Sequence, residues 1–95
     1  MIIHFNNTKQ MKIFFLLLNT DFGLTRKSIV ETLLIPRTTV YDNLAILMRK
    51  GLVKYYTKNT SNRKVGRPIV YFYIDSKIKQ EFLKNQIPKI KLNSN

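Results

Sequence analysis

Ninety-five residues, 44% of them hydrophobic, are enough for one domain with one modest core, and the absence of cysteine excludes disulfides and thiolate metal sites. Seventeen lysines and arginines against five acids leave a net charge of +12, which repels itself unless a polyanion takes it up. Nucleic acid is the first candidate and an anionic membrane the second, but the longest apolar run, Ile13 to Leu18, falls far short of the roughly 20 residues that span a bilayer.

Enzyme chemistry is poorly provided for. The acids Asp21, Glu31, Asp42, Asp75 and Glu81 are scattered, and His4 is the only histidine. No nucleophile–base pair, metal-ligand cluster or glycine-rich phosphate loop is visible, so neither catalysis nor a cofactor is expected. No signal-peptide pattern precedes or follows the apolar run, which points to an intracellular, cytoplasmic protein.

Residues 1–7 read as a flexible or lightly paired lead-in. Thr8 is a plausible cap for a helix over "KQMKIFFLLLNT", greasy on nearly every side and therefore in need of cover on more than one face. That cover comes from the domain itself or from a partner subunit. "DFG" breaks the helix, Leu24 suits a strand stub, and Thr25 caps a second helix with Ile29, Val30, Leu33 and Leu34 as its buried stripe. Pro36 cannot continue that helix but tolerates the start of a third, which carries Val40, Leu44, Leu47 and Met48 on one side and stops at Gly51. Arg49 and Lys50 sit in its last turn, where cations favour the negative end of the dipole. "LVKYYT" and "IVYFYI" read as two strands of a hairpin around the polar, basic loop "KNTSNRKVGRP". Asp75 or Ser76 caps a last helix with Ile78, Phe82 and Leu83 as its stripe, and residues 88–95 read as a frayed tail.

Helix, strand stub, helix, tight turn, helix, hairpin, helix is the order of a winged helix-turn-helix: α+β, mostly α, with a three-helix core, a two-stranded wing and a C-terminal helix. The stretch "LTRKSIVETLLIPRTTVYDNLAILMRKGLV" resembles the helix-turn-helix of prokaryotic regulators of the MarR, ArsR and especially TrmB type. "GRPIVYFYI" resembles the wing ending of many archaeal members. Leu34 stands where such turns often have Gly, and Val30 where the second helix often has Ala, which suggests slightly wider helix spacing. The ligand-sensing domain of full-length TrmB-type proteins has no room in this chain.

The resemblance implies a double-stranded DNA-binding transcriptional regulator whose third helix is the recognition helix, its N-terminal residues nearest the bases. With Val40, Leu44 and Leu47 inward, Thr38, Tyr41, Asp42 and Ala45 face outward, with Arg37 and Thr39 near the tip. Arg37 suits the two acceptors of guanine, and Asn43 suits adenine if it turns outward. Thr38 and Thr39 suit phosphates, and Tyr41 a phosphate or a thymine methyl. From Asn43 through Ile74 there is no acid, and the loop cations Lys58, Arg63, Lys64 and Arg67 suit phosphates or the adjacent minor groove. Phe14, Phe15 and Leu18 on the first helix, with Ile78 and Phe82 on the last, are the surfaces expected to join two copies into a homodimer. Three rivals remain: a winged-helix protein-interaction module, against which the acid-free block argues; a sequence-neutral DNA-coating or chromatin protein, against which the mixed Thr/Tyr/Asp/Asn face argues; and an RNA binder using Tyr55, Tyr56, Tyr71 and Tyr73 on an open hairpin face, against which the expected packing of those rings in the core argues.

Overall fold

Asn7, and not Thr8, caps the first helix: its side chain accepts from the Gln10 amide at 2.8 Å, which satisfies one of the orphan donors of the first turn. The computed structural model describes residues 2–58, 68–84 and 89–92. In chain order these form β1 (Ile2–Phe5), α1 (Thr8–Leu18), α2 (Arg26–Leu33), α3 (Arg37–Arg49), β2 (Lys54–Lys58), β3 (Ile69–Tyr73), α4 (Ser76–Lys84) and β4 (Lys89–Leu92). β2 and β3 pair antiparallel as the hairpin, with Tyr56 opposite Tyr71, and Leu24 adds a single bridge to Phe72.

The lead-in takes the paired alternative, and the tail, expected to fray, supplies its partner over residues 89–92. β1 and β4 pair in parallel, Ile2 with Lys89 through Phe5 with Leu92, in a second two-stranded sheet. Ile3 and Phe5 are buried, so the lead-in belongs to the core, where the Phe5 ring meets Phe14 at 5.2 Å. The reason is alternation: Ile3 and Phe5 point one way and His4, exposed, the other, which is the period of a half-buried strand.

The greasy α1 is covered largely by its own domain. α3, α2, β1 and β3 all pack on it, and Ile13, Phe14 and Leu17 are fully buried. Phe14 therefore presents no free surface for a partner and is removed from the expected dimer face. Phe15, Leu18, Ile78 and Phe82 are half-buried, and the Phe15 and Phe82 rings, 5.8 Å apart, tie α4 to α1. Leu83 is 70% exposed and drops out of the α4 stripe. Asp75 caps α4 through its Oδ1, which accepts from the Lys77 amide at 2.8 Å.

α2 ends as Pro36 requires, but through an unexpected geometry. Leu34 adopts the left-handed conformation, φ 56° and ψ 40°, with its amide donating to the Val30 carbonyl at 2.8 Å. In that conformation the side chain leaves the helix stripe and stands 86% exposed. Leu34 takes the backbone shape that glycine usually supplies at such a turn. Ile35 is buried and anchors the three-residue turn, and α3 starts directly after Pro36.

Candidate nucleic-acid interface

α3 is amphipathic with one boundary drawn differently from its periodicity. Val40, Leu44 and Leu47 are buried and Met48 half-buried, while Arg37, Thr38, Tyr41, Asp42, Ala45 and Arg49 are exposed and Thr39 is half-buried. That flank stays exposed, with the Arg26 side chain of α2 lying over Tyr41 within it. A helix with a bare polar flank and its first-turn amides unspent presents donors and a positive dipole end together. Pro36 contributes to this, because as N-cap it makes no side-chain capping bond.

Asn43 does not belong to that flank. It is 4% exposed, and its side chain points into the α1–α3 contact. Its Nδ2 donates to the Thr39 carbonyl at 2.8 Å, while its Oδ1 accepts from Gln10 Nε2 at 3.2 Å and Asn7 Nδ2 at 3.3 Å. The adenine-reading role expected of Asn43 is thus corrected: its donors and acceptors are spent inside the protein. The sequence hid this because Asn43 is flanked by outward-facing Asp42 and inward-facing Leu44, at the edge between the two faces. Lys50, expected as a surface cation at the helix end, reaches back to the His4 carbonyl at 2.7 Å and Asn6 Oδ1 at 2.9 Å, joining α3 to the end of β1.

Beside the tip of α3 lies a cleft of about 410 Å³, walled by the start of α2, the first turns of α3 and the start of β3. Arg26, Lys27 and Arg37 line it together with Tyr41, Glu31 and Pro68. Arg26 and Lys27 were not singled out in the sequence. A signal was present: two cations in the first turn of a helix, where the dipole disfavours them, with no acid to compensate. The Arg26 guanidinium lies 3.8 Å from the centre of the Tyr41 ring and 5.6 Å from that of Phe72. Thr25 caps α2 by accepting from the Ser28 amide at 3.1 Å.

On the wing, Lys58 is exposed at the end of β2, and Arg63, Lys64 and Arg67 lie outside the described residues. The hairpin aromatics pack on one another: Tyr56 and Tyr71 stack at 5.3 Å, and the Tyr56 hydroxyl donates to the Phe22 carbonyl at 2.8 Å. Lys54 is bound to Asp75 at 2.8 Å, the one ion pair among the described residues. That hydrogen bond raises the Lys54 ammonium above its ordinary pKa, and with the Lys77 amide it lowers the Asp75 carboxyl below the carboxylate range. Among the described residues no helix is long and apolar enough to cross a membrane.

A search of curated proteins found no match. A family model described as "Sugar-specific transcriptional regulator TrmB" matches residues 7–77 of the 95, a span from the cap of α1 to the start of α4 that contains the helix-turn-helix, the wing strands and the cleft. With most of its length matched and a winged-helix architecture of four helices and an antiparallel hairpin, the chain belongs to the TrmB family of transcriptional regulators, and its role is DNA binding in the control of transcription.

Proposed function

We propose that the protein is a sequence-specific regulator of double-stranded DNA, with α3 in the major groove and residues 58–68 on the neighbouring backbone or minor groove. The observation that carries the reading is the bare outward flank of α3, where Arg37, Thr38, Tyr41 and Asp42 stand exposed in one row beside a cleft lined by three cations. A major groove admits one helix, and side chains of this mixed kind match its donor and acceptor pattern. Arg37 reads guanine, while Thr38 and Thr39 bond phosphates together with the free amides of the α3 start. Lys58, Arg63, Lys64 and Arg67 neutralise further phosphates.

One recognition helix reads few bases, so the protein works as a homodimer on a palindromic or pseudo-palindromic site in the cytoplasm, on nucleoid DNA. The half-buried edge of Phe15, Leu18, Ile78 and Phe82 supports this contact, with exposed Leu83 beside it. A monomer in sedimentation at high micromolar concentration would remove the dimer.

The test is selection of bound duplexes from a random pool at moderate salt. A sharp palindrome is expected. Retained affinity without enrichment would instead indicate a DNA-coating protein, and no binding an interaction module. With about six ionic contacts the log–log dependence of affinity on salt has a slope near −5, at about −0.9 per phosphate. Arg67→Ala flattens that slope without changing the preferred sequence. Arg37→Ala relaxes the preference at one base position by about 1–3 kcal/mol. An unchanged ranking of sequences for Arg37→Ala would refute its base-reading role.

A further inference from the structure

We infer that Arg26 is a specificity-determining residue: stacked on Tyr41, it holds that ring in the orientation that contacts a thymine methyl in the major groove. The inference rests on the DNA-reading role of α3 and adds to it a residue that lies on the other helix.

The geometry is unusually constrained for an arginine. Two residues before it, Leu24 is locked to β3, its amide donating to the Phe72 carbonyl at 2.9 Å and its carbonyl accepting from the Phe72 amide at 2.8 Å. One residue before it, Thr25 caps α2. The backbone that carries Arg26 is therefore tied to the wing strand on one side and to the helix start on the other. Its guanidinium then lies over Tyr41 at 3.8 Å with the buried Phe72 ring on a second side. Glu31 shares the cleft, yet among the described residues neither it nor any other carboxylate lies within ion-pair distance of Arg26.

A guanidinium stacked on a ring uses only its flat face, and its in-plane N–H donors remain available to a phosphate oxygen. The stack consequently has two outputs. One is a cation aimed at the backbone beside the reading helix. The other is a tyrosine ring with one face occupied and its motion restricted, while 42% of the residue remains open to solvent. An oriented apolar ring edge complements the C5 methyl of thymine, the one apolar group on the major-groove edge of a base pair. A freely rotating tyrosine would spread that contact over several positions and lose entropy on settling into one.

The test uses the full chain and the duplex recovered by selection, with each thymine replaced singly by deoxyuridine, which lacks only the methyl. Wild-type protein is expected to lose about fourfold in affinity at one thymine of each half-site, the value of one buried methyl-sized group. Tyr41→Phe keeps that loss, since the contact needs the ring and not the hydroxyl. Arg26→Lys keeps the charge and the salt slope but has no plane to stack, so the thymine-to-uracil difference shrinks towards onefold. Both substitutions are conservative, and melting curves verify that the variants are folded. Undiminished discrimination in Arg26→Lys would assign Arg26 to the backbone alone and overturn the proposal, as would a wild type indifferent to every thymine methyl. Failure of the underlying DNA reading looks different: no motif is enriched, and the two proposals fall together.

Discussion

Replacing Asn43 by leucine should destabilise the fold through a residue other than the one changed. Asn43 Oδ1 is the acceptor for Gln10 Nε2 at 3.2 Å, and Gln10 is fully buried. Gln10 Oε1 keeps its donors, the Asn6 amide at 3.0 Å and Lys50 Nζ at 3.4 Å, so only the Nε2 end is stranded. Leaving one buried donor without a partner costs about 1–3 kcal/mol. Asn7, half-buried, turns to water at little cost. The Thr39 carbonyl lies within the helix, so the lost Nδ2 bond adds only a fraction. The net expectation is a loss of about 1–3 kcal/mol, or very roughly 4–8 °C in melting temperature per kcal/mol for a domain of this size. The signature is non-additivity: Gln10→Leu with Asn43→Leu removes both partners, and the double variant should recover about 1 kcal/mol or more of the summed single losses. Urea unfolding followed by far-ultraviolet circular dichroism, at fixed protein concentration, measures this in a chain without tryptophan. Asn43→Leu within about 0.5 kcal/mol of wild type, or strict additivity of the pair, would refute the reasoning.

Leu34→Gly should stabilise the protein. A left-handed leucine costs about 1–2 kcal/mol, glycine gives back about 0.4–1 kcal/mol through the freer unfolded chain, and the 86% exposed side chain loses no packing, so urea midpoints should rise. Leu34→Val should move them the other way. Gly23→Ala should be severe: at φ +85° its Cβ would stand 2.5 Å from the Phe72 carbonyl oxygen, on the bridge that joins Leu24 to β3. Gly51→Ala, at φ +76° with open space around it, should cost only the conformational share of about 1 kcal/mol, so equal losses at the two sites would contradict the crowding argument. For Asp75 the folded state favours the ionised carboxyl, so its stabilisation is present above the ordinary carboxylate value and is lost as pH falls through the lowered one, below about pH 4. The raised Lys54 works in the opposite window, its share disappearing only as pH rises beyond about 10. Asp75→Asn should therefore flatten the acid limb of melting temperature against pH, and an equally steep limb would count against the bond to Lys54.

Much of the architecture was legible because local signals agreed. Pro36 ended one helix and opened the next, Gly51 stopped α3, and Val40, Leu44 and Leu47 marked its inner face. The Asn7 cap and the left-handed Leu34 are local departures, whereas the remaining misses share a physical cause, a partner distant in sequence. His4 and Ile3 belong to a strand only because residues 89–92 lie alongside. Asn43 turned inward because Gln10, 33 positions earlier, offered it a donor. Arg26 drew no notice in the sequence, because the Tyr41 ring it lies over is on another helix.

By itself the chain determined its excess of positive charge, the order of its helices and wing strands, and the polar character of the flank on α3. These follow from composition and from interactions within a few residues, which the linear order contains. Tertiary structure alone decided which polar side chains on that helix remain available and which are consumed in the core. It also decided that Arg26 meets Tyr41 across two helices and that the chain ends pair in parallel. Such outcomes depend on which distant surfaces meet, and hydrogen-bonding groups are spent or spared only when that contact is made.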